Sequence, residues 1–239
     1  MLLKNYKQQH TGGIRLLSEQ VAQECVKMGF LVKVEHENIL KGEGTVHLYL
    51  QKNAAASLLK LLDSGKMTIN SALRTLPQQY ALKRNLTTLV AEVGRSNHGD
   101  GQAIDVEEYS AWHKRLTGAG WTWPHPTSDP VHYVYPGTDR RSDSIKAFQQ
   151  LWNRWNPENP LTADGSMGEK TMMALGNSPV DGWRDYTFEE LKKAFSGTPN
   201  KEMVKNFQRK WNKKFPDAKL VVDGQAGQKT EEAFSKFTP

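Results

Sequence analysis

A stretch of this chain occurs twice, and that duplication limits the folds it can adopt more than any other feature. Residues 145–175 align without a gap on residues 204–234. The matched identities include Phe148 with Phe207, Gln149 with Gln208, Trp152 with Trp211, Asp164 with Asp223, Gly168 with Gly227 and Thr171 with Thr230. Each copy predicts a helix with Phe and Trp four residues apart, a Pro-containing loop, an Asp-Gly turn and a second helix. One small helical unit must therefore be present twice.

The aromatic residues of the repeat have helical spacing, which predicts core packing, and the Asp-Gly pair predicts a tight turn. The pattern Phe-Gln-x-x-Trp-Asn followed by Asp-Gly-x-x-Gly-x-x-Thr-x-x-Ala resembles the type 1 peptidoglycan-binding repeat of bacterial wall hydrolases, over residues 143–176 and 201–238. The resemblance implies an all-α module that binds bacterial peptidoglycan. The wall-binding residues it suggests are Trp152, Trp211, Asp164 and Asp223.

Two segments of the N-terminal part concentrate histidine and carboxylate side chains. Ser96 to Asp105 has the sequence Ser-Asn-His-Gly-Asp-Gly-Gln-Ala-Ile-Asp, and Asp129 to Tyr133 has the sequence Asp-Pro-Val-His-Tyr. A catalytic zinc ion needs three nitrogen or oxygen ligands and an open fourth position, which a His, Asp, His set supplies. Because Cys25 is the only cysteine, a thiolate zinc cluster and an intramolecular disulfide are both excluded.

The spacing within these segments matches a known signature. Ser96-x-His98-x-x-Gly101-x-Ala103-x-Asp105 resembles, at every fixed position, the motif of the M15 metallopeptidases, which are D-Ala-D-Ala carboxypeptidases, D,D-dipeptidases and L-Ala-D-Glu endopeptidases. Asp129-x-x-His132 is similar to the second motif of that family. The resemblance implies that His98, Asp105 and His132 bind Zn²⁺. It also implies that Asp129 is the general base.

An upstream segment, residues 69–79, looks like the family's Ser-x-x-Arg-Thr stretch with its trailing Gln. The resemblance implies that Arg74 binds the substrate carbonyl or the oxyanion, and that Gln78 and Ser96 also contact substrate. From the residue alone, a surface or ion-paired arginine at position 74 is an equal alternative. His113 and His125 match no motif position and are interpreted as surface or packing residues. The chain has His132-Tyr133-Val134 where many members have Phe and an acidic residue after the ligand, which leaves the peptide bond that is cut undecided.

Hydrophobic patterning predicts a helix over residues 14–28 and a β-hairpin formed by residues 30–34 and 46–50. It further predicts a helix capped by Asn53 and ending at Leu62, and a helix from Pro77 towards Val93. Strands are expected at residues 67–71, 103–106 and 131–135, with a helix containing Trp112 and Leu116 between the last two. Helices and strands without βαβ regularity indicate an α+β fold with a small antiparallel sheet.

These observations predict a zinc peptidase domain over residues 1–140, with residues 1–40 as a candidate extension, and a repeat module over residues 141–239. Net charge is +6 with a pI near 9.2, which favours a polyanionic partner. No nucleic-acid motif accompanies the charge, so nucleic acid is not expected as a partner. The sequence has no apolar run of the about 20 residues that a membrane-spanning helix needs, so no transmembrane segment is expected. The oligomeric state is left open.

The expected activity is hydrolysis of a peptidoglycan stem-peptide bond next to a D-amino acid. The alternative is a non-catalytic, metal-holding peptidoglycan-binding protein, in which loss of the base would be expected. Residues 1–30 contain no uninterrupted apolar region typical of a signal peptide. Action at the bacterial cell wall or in the periplasm would then follow phage-type release or a dedicated secretion route.

Overall fold

The chain has an α+β fold, as predicted, in a computed structural model that describes residues 15–85 and 90–237. Its contacts divide it after Gly182 into two compact units. The first unit contains helices α1 (Arg15–Lys27), α2 (Lys52–Leu62), α3 (Leu76–Asn85), α4 (Tyr109–Gly118), α5 (Arg141–Trp155) and α6 (Glu169–Asn177). Its strands are β1 (Val32–Lys33), β2 (Ile39–Lys41), β3 (Tyr49–Leu50), β4 (Met67–Ser71), β5 (Ala103–Val106) and β6 (His132–Val134). The second unit contains α7 (Phe188–Phe195), α8 (Lys201–Lys214) and α9 (Gln228–Lys236).

The main sheet of the first unit has the strand order β2-β4-β5-β6. The pairs β4–β5 and β5–β6 are antiparallel, whereas β2 pairs with β4 in parallel. The sheet is thus mixed, and the prediction of an antiparallel sheet was wrong for one of its three pairs. The connection from β2 to β4 passes through β3 and α2 and is long enough for a parallel crossover. The predicted hairpin is present as the separate antiparallel pair β1–β3.

A register shift in β4 decides which side chains share a face of the sheet. Ile69 pairs with Val106, while Ser71 pairs with Asp105, so two steps along β4 correspond to one step along β5. Such a bulge redirects the side chains that follow it. Ile69 and Val106 are fully buried in the core, and Ser71 is placed beside Asp105 on the opposite face.

Helix α1 packs on α5 and α3, which makes residues 15–27 an integral part of the first unit. Its apolar stripe, Leu17, Val21 and Cys25, is buried as the predicted helix requires; Ile14 lies outside the described residues. Glu24 is also buried, and both of its oxygens accept hydrogen bonds from Arg154 of α5, at 2.9 and 2.7 Å. The first copy of the repeat, α5 and α6, therefore belongs to the first unit. Residue 140, where the sequence analysis placed the end of the peptidase domain, lies inside that unit.

The second unit is a three-helix cluster around an aromatic core. Thr187 and Glu190 form a capping box at the start of α7, which lies between the two copies of the repeat. The core contains Leu191, Phe207 and Ala233, with Phe195 and Phe234 packed against them. The Phe195 and Phe234 rings stack with centroids 4.1 Å apart.

Two helix boundaries differ from the prediction. Within the described residues helix α3 extends to Asn85, and residues 90–93 are not helical. There the Gln79 side-chain amide donates a hydrogen bond to the Ala91 carbonyl. Helix α2 begins at Lys52 after Gln51, so Asn53 lies within the helix and does not cap it. Within the described ranges, no helix is both long and apolar enough to cross a membrane.

Candidate metal centre

Two of the three predicted ligands face each other across neighbouring strands. Asp105 of β5 is the direct pairing partner of His132 of β6. Side chains directly opposite in an antiparallel pair lie about 4.5–5.5 Å apart at Cβ, so the pairing brings the carboxylate and the imidazole together. Both side chains are buried.

His98 reaches the same point from the loop that precedes β5. Its backbone carbonyl accepts a hydrogen bond from the Arg74 amide at 3.0 Å, and its own amide donates to Ser96 Oγ at 3.3 Å. The tight turn behind it needs Gly101, which has a φ of +72°, since a Cβ atom there would lie 2.5 Å from Leu31 Cδ2. The glycine-rich spacing noted in the sequence thus holds His98 beside Asp105.

The three donor atoms form a nearly equilateral triangle. His98 Nε2, His132 Nδ1 and Asp105 Oδ1 are each 3.1 Å from the other two. Ligands bound at about 2.0–2.1 Å to a tetrahedral zinc ion lie about 3.3 Å from one another. The triangle therefore has the size that one small divalent cation requires.

The hydrogen bonding of His98 shows why a cation fits this position. His98 Nδ1 donates to the Ala72 carbonyl at 2.8 Å, which directs the Nε2 lone pair towards Asp105. Burial lowers the pKa of His98 to about 4, so its ring is neutral at neutral pH. An imidazole lone pair and a carboxylate oxygen 3.1 Å apart repel each other unless a positive centre lies between them. A bound metal ion would supply that centre.

Arg74 lies behind the carboxylate of the triad. Its Nη2 is 3.5 Å from Asp105 Oδ2, and its Nη1 donates to Gln79 Oε1 at 3.4 Å. Burial lowers the pKa of Arg74, and Asp105 and Asp129 act in the opposite direction. Arg74 is therefore paired with Asp105, as the ion-paired alternative expects, and it also lines the wall of the cleft.

A cleft of about 530 Å³ opens over the triad. Asp129 lies at its exposed rim, where the Asp129 carbonyl accepts a hydrogen bond from the His132 amide at 3.2 Å. His125 also lines the cleft, with its ring 6.2 Å from that of His132. A cleft of this volume holds a ligand of peptide size, since such sites span about 300–1,000 Å³.

The other expected substrate contacts have local partners. Ser96 lines the cleft, but its hydroxyl also caps the turn before His98. Gln78 accepts from the Thr75 amide and hydroxyl and donates to the Thr45 carbonyl, and it does not belong to the described lining of the cleft. Its neighbour Gln79 accepts a hydrogen bond from Arg74 instead, a contact that the sequence analysis did not predict. Two adjacent glutamines follow Arg74 in the sequence, and the motif alone does not show which of them contacts it.

The two remaining histidines of this region differ. His113 packs against the Trp123 ring at 4.3 Å and hydrogen-bonds with the Tyr133 hydroxyl, in agreement with its interpretation as a packing residue. His125 is exposed, but its place beside His132 gives it access to anything bound in the cleft. No motif spacing marks His125, because the contact arises from the fold of the loop before β6.

The four suggested wall-binding residues support the internal structure of the repeats. Trp152 and Trp211 are buried, and their indole N–H groups donate to the carbonyls of Asn159 and Ala218. Asp164 and Asp223 each accept hydrogen bonds from a buried glutamine of the preceding helix and from the backbone amide two residues later. Packing and turn formation therefore account for these residue types in both copies.

The chain matches no protein-family model and no curated protein.

Proposed function

We propose that the chain is a zinc-dependent peptidoglycan peptidase that cuts a stem-peptide bond next to a D-amino acid. The observation that carries this proposal is the convergence of His98 Nε2, Asp105 Oδ1 and His132 Nδ1, 3.1 Å apart, at the floor of an open cleft. The choice of zinc follows from two imidazoles and one carboxylate as the donor set. The choice of substrate, and of the wall as the place of action, rests on the resemblance of the motifs and repeats.

Each residue of the cleft has a defined task in this proposal. His98, Asp105 and His132 would hold the zinc ion, which when bound polarises a peptide carbonyl and activates water near neutral pH. Asp129 at the rim accepts the proton of the attacking water and returns it to the leaving amine as the C–N bond breaks. Arg74 keeps Asp105 in position from behind and presents its remaining N–H groups to the substrate oxygen.

Metal binding is tested first. The purified protein is expected to contain one zinc ion per chain by elemental analysis, and His98→Ala and His132→Ala are expected to lose it, because two donors bind zinc weakly. His113→Ala is the matched control, since His113 packs against Trp123 outside the triad. Stoichiometric zinc in both ligand variants would contradict the ligand assignment.

Turnover is tested through the general base. Asp129→Asn is expected to keep its zinc and to digest purified muropeptides about 10²–10⁴-fold more slowly, because it cannot accept a proton. Mass spectrometry of the products identifies the new termini and hence the bond that is cut. Asp217→Asn, an exposed acid of the second unit, is the control. An unchanged rate with zinc bound would refute the role of Asp129, and absence of any cleavage by the zinc-loaded native protein would favour the non-catalytic alternative.

A further inference from the structure

The two copies of the repeat differ on one face of their first helix. In α5 that face carries Ser144, Leu151 and Arg154, which face α1 or are buried. The Ser144 hydroxyl donates a hydrogen bond to the Gly99 carbonyl, and Arg154 pairs with Glu24 of α1. An amphipathic helix with one buried carboxylate thus covers this face in the first copy.

The matching positions in α8 have different residues. Leu151, which is 2% exposed, aligns with Lys210, and Arg154 aligns with Lys213. The side chains of Lys213 and Lys214 are exposed. Helix α7, Phe188–Phe195, is shorter than α1, Arg15–Lys27, and leaves this end of α8 as part of a groove of about 500 Å³.

The groove combines an apolar floor with a cationic rim. Phe188, Leu191 and Phe237 form the apolar part of its lining, and Lys210, Lys213 and Lys214 form the rest. The Lys214 ammonium lies 5.1 Å from the centre of the Phe237 ring. Lys210 also lies 3.8 Å from Asp185 Oδ1. Lysines beside aromatic rings suit a ligand that has both an apolar surface and negative charge.

We infer that this groove, which we call the lysine groove, binds an acidic amphipathic helix of a partner protein. The first copy supplies the argument, because there the equivalent face is covered by the amphipathic helix α1 and the residue equivalent to Lys213 pairs with its Glu24 carboxylate. The cationic rim of the groove is what favours a more acidic helix than α1. Apolar side chains of the partner would lie on Phe188 and Phe237, and its carboxylates would pair with the lysines. This inference does not depend on the metal centre.

The test uses the full chain and a fluorescein-labelled peptide with the sequence of residues 15–27 in which Arg15 and Lys27 are replaced by Glu. Fluorescence anisotropy is expected to show saturable binding. The triple variant Lys210→Glu, Lys213→Glu, Lys214→Glu is expected to weaken binding about tenfold or more, as the loss of three exposed ion pairs predicts. The matched control is Lys192→Glu, Lys193→Glu, Lys229→Glu, which makes the same change of charge at exposed lysines outside the groove lining.

A second variant separates the apolar contact from charge. Phe188→Ser keeps every lysine and is expected to weaken peptide binding, while circular dichroism checks that the fold is retained. If the groove triple variant and the control triple variant lost the same affinity for the peptide, the binding would be general electrostatic attraction and the inference would be overturned. No saturable binding of the peptide, or its displacement from the groove by soluble muropeptides, would also overturn it, the latter in favour of a wall ligand.

Discussion

The two copies of the repeat share their internal hydrogen bonds and differ in what completes their cores. In the first, the Gln149 amide group donates to Asp164 and Thr171 and its oxygen accepts from the Gly165 amide; in the second, Gln208 makes the same bonds with Asp223, Thr230 and Gly224. Both glycines have a positive φ, of 76° and 78°. This buried glutamine and its turn form a structure that is independent of its surroundings.

The surroundings of the two copies are quite different. Around Phe207 the second copy has its own aromatic partners, with the rings of Phe195, Phe234 and Phe237 at 5.0–5.5 Å. The first copy is covered by α1 and α3, which belong to the same unit as the candidate metal centre. One copy of the duplicated element is thus a structural part of the candidate catalytic unit, while the other forms a self-contained unit.

The largest expected effect comes from removing the first copy. A chain ending at Arg140 loses α5 and exposes Leu17, Val21 and Cys25, so it is expected not to unfold cooperatively and not to retain zinc. A chain ending at Gly182 keeps the whole first unit and is expected to melt cooperatively with one zinc bound. Thermal circular dichroism and elemental analysis distinguish them. A zinc-loaded, cooperative chain ending at Arg140 would show that the first copy is a separate module after all.

A smaller effect is expected from the matched phenylalanines, both of which are fully buried. Phe148→Ala and Phe207→Ala should each cost about 3–5 kcal/mol of unfolding free energy in their own unit, because each leaves a large cavity. Differential scanning calorimetry with parallel zinc analysis is the measurement. Phe148→Ala is expected to lower the transition that accompanies zinc loss, and Phe207→Ala the other transition. If Phe207→Ala reduced zinc retention equally, the two units would not be independent.

The smallest effect concerns the matched cations Arg154 and Lys213. Arg154→Ala leaves the buried Glu24 carboxylate without its principal partner and should cost about 1–3 kcal/mol. Lys213→Ala, at an exposed position, should stay within about 0.5 kcal/mol. Chemical denaturation at neutral pH measures both. If both substitutions lowered the unfolding free energy equally, the ion pair of Arg154 with Glu24 would add nothing to the stability that the packing of α1 provides.

The same pair predicts a pH dependence. Hydrogen bonds from Arg154 lower the pKa of Glu24 below its ordinary value of 4.5. The pair therefore stabilises the first unit above that value, and its contribution is lost as the pH falls through the lowered pKa of the folded state. The difference in stability between the native protein and Arg154→Ala is expected to narrow between neutral pH and pH values well below 4.5. A constant difference would show that Arg154 acts through packing alone.

Local patterns were sufficient to predict much of this architecture. The paired helices of each repeat, the Asp-Gly turns, strands β4 and β5 and the helix around Trp112 are all present, because their periodicity and turn residues act over a few positions. The candidate metal ligands could be proposed for a related reason. His98 and Asp105 lie within one short glycine-containing segment, and Asp129-x-x-His132 is equally local.

Tertiary packing alone decided the remainder. The bulge that places Ser71 beside Asp105 and the parallel pairing of β2 depend on segments far apart in the chain. The contacts of Gln79 with Arg74 and of His125 with His132 join residues close in sequence, but no periodic pattern predicts them. The packing of α1 on α5 is the largest such feature. It makes the first copy of the repeat part of the unit that contains the candidate metal centre. Residue patterns specify which face of an element is apolar, but not which of several apolar faces it meets, because hydrophobic burial has no direction of its own.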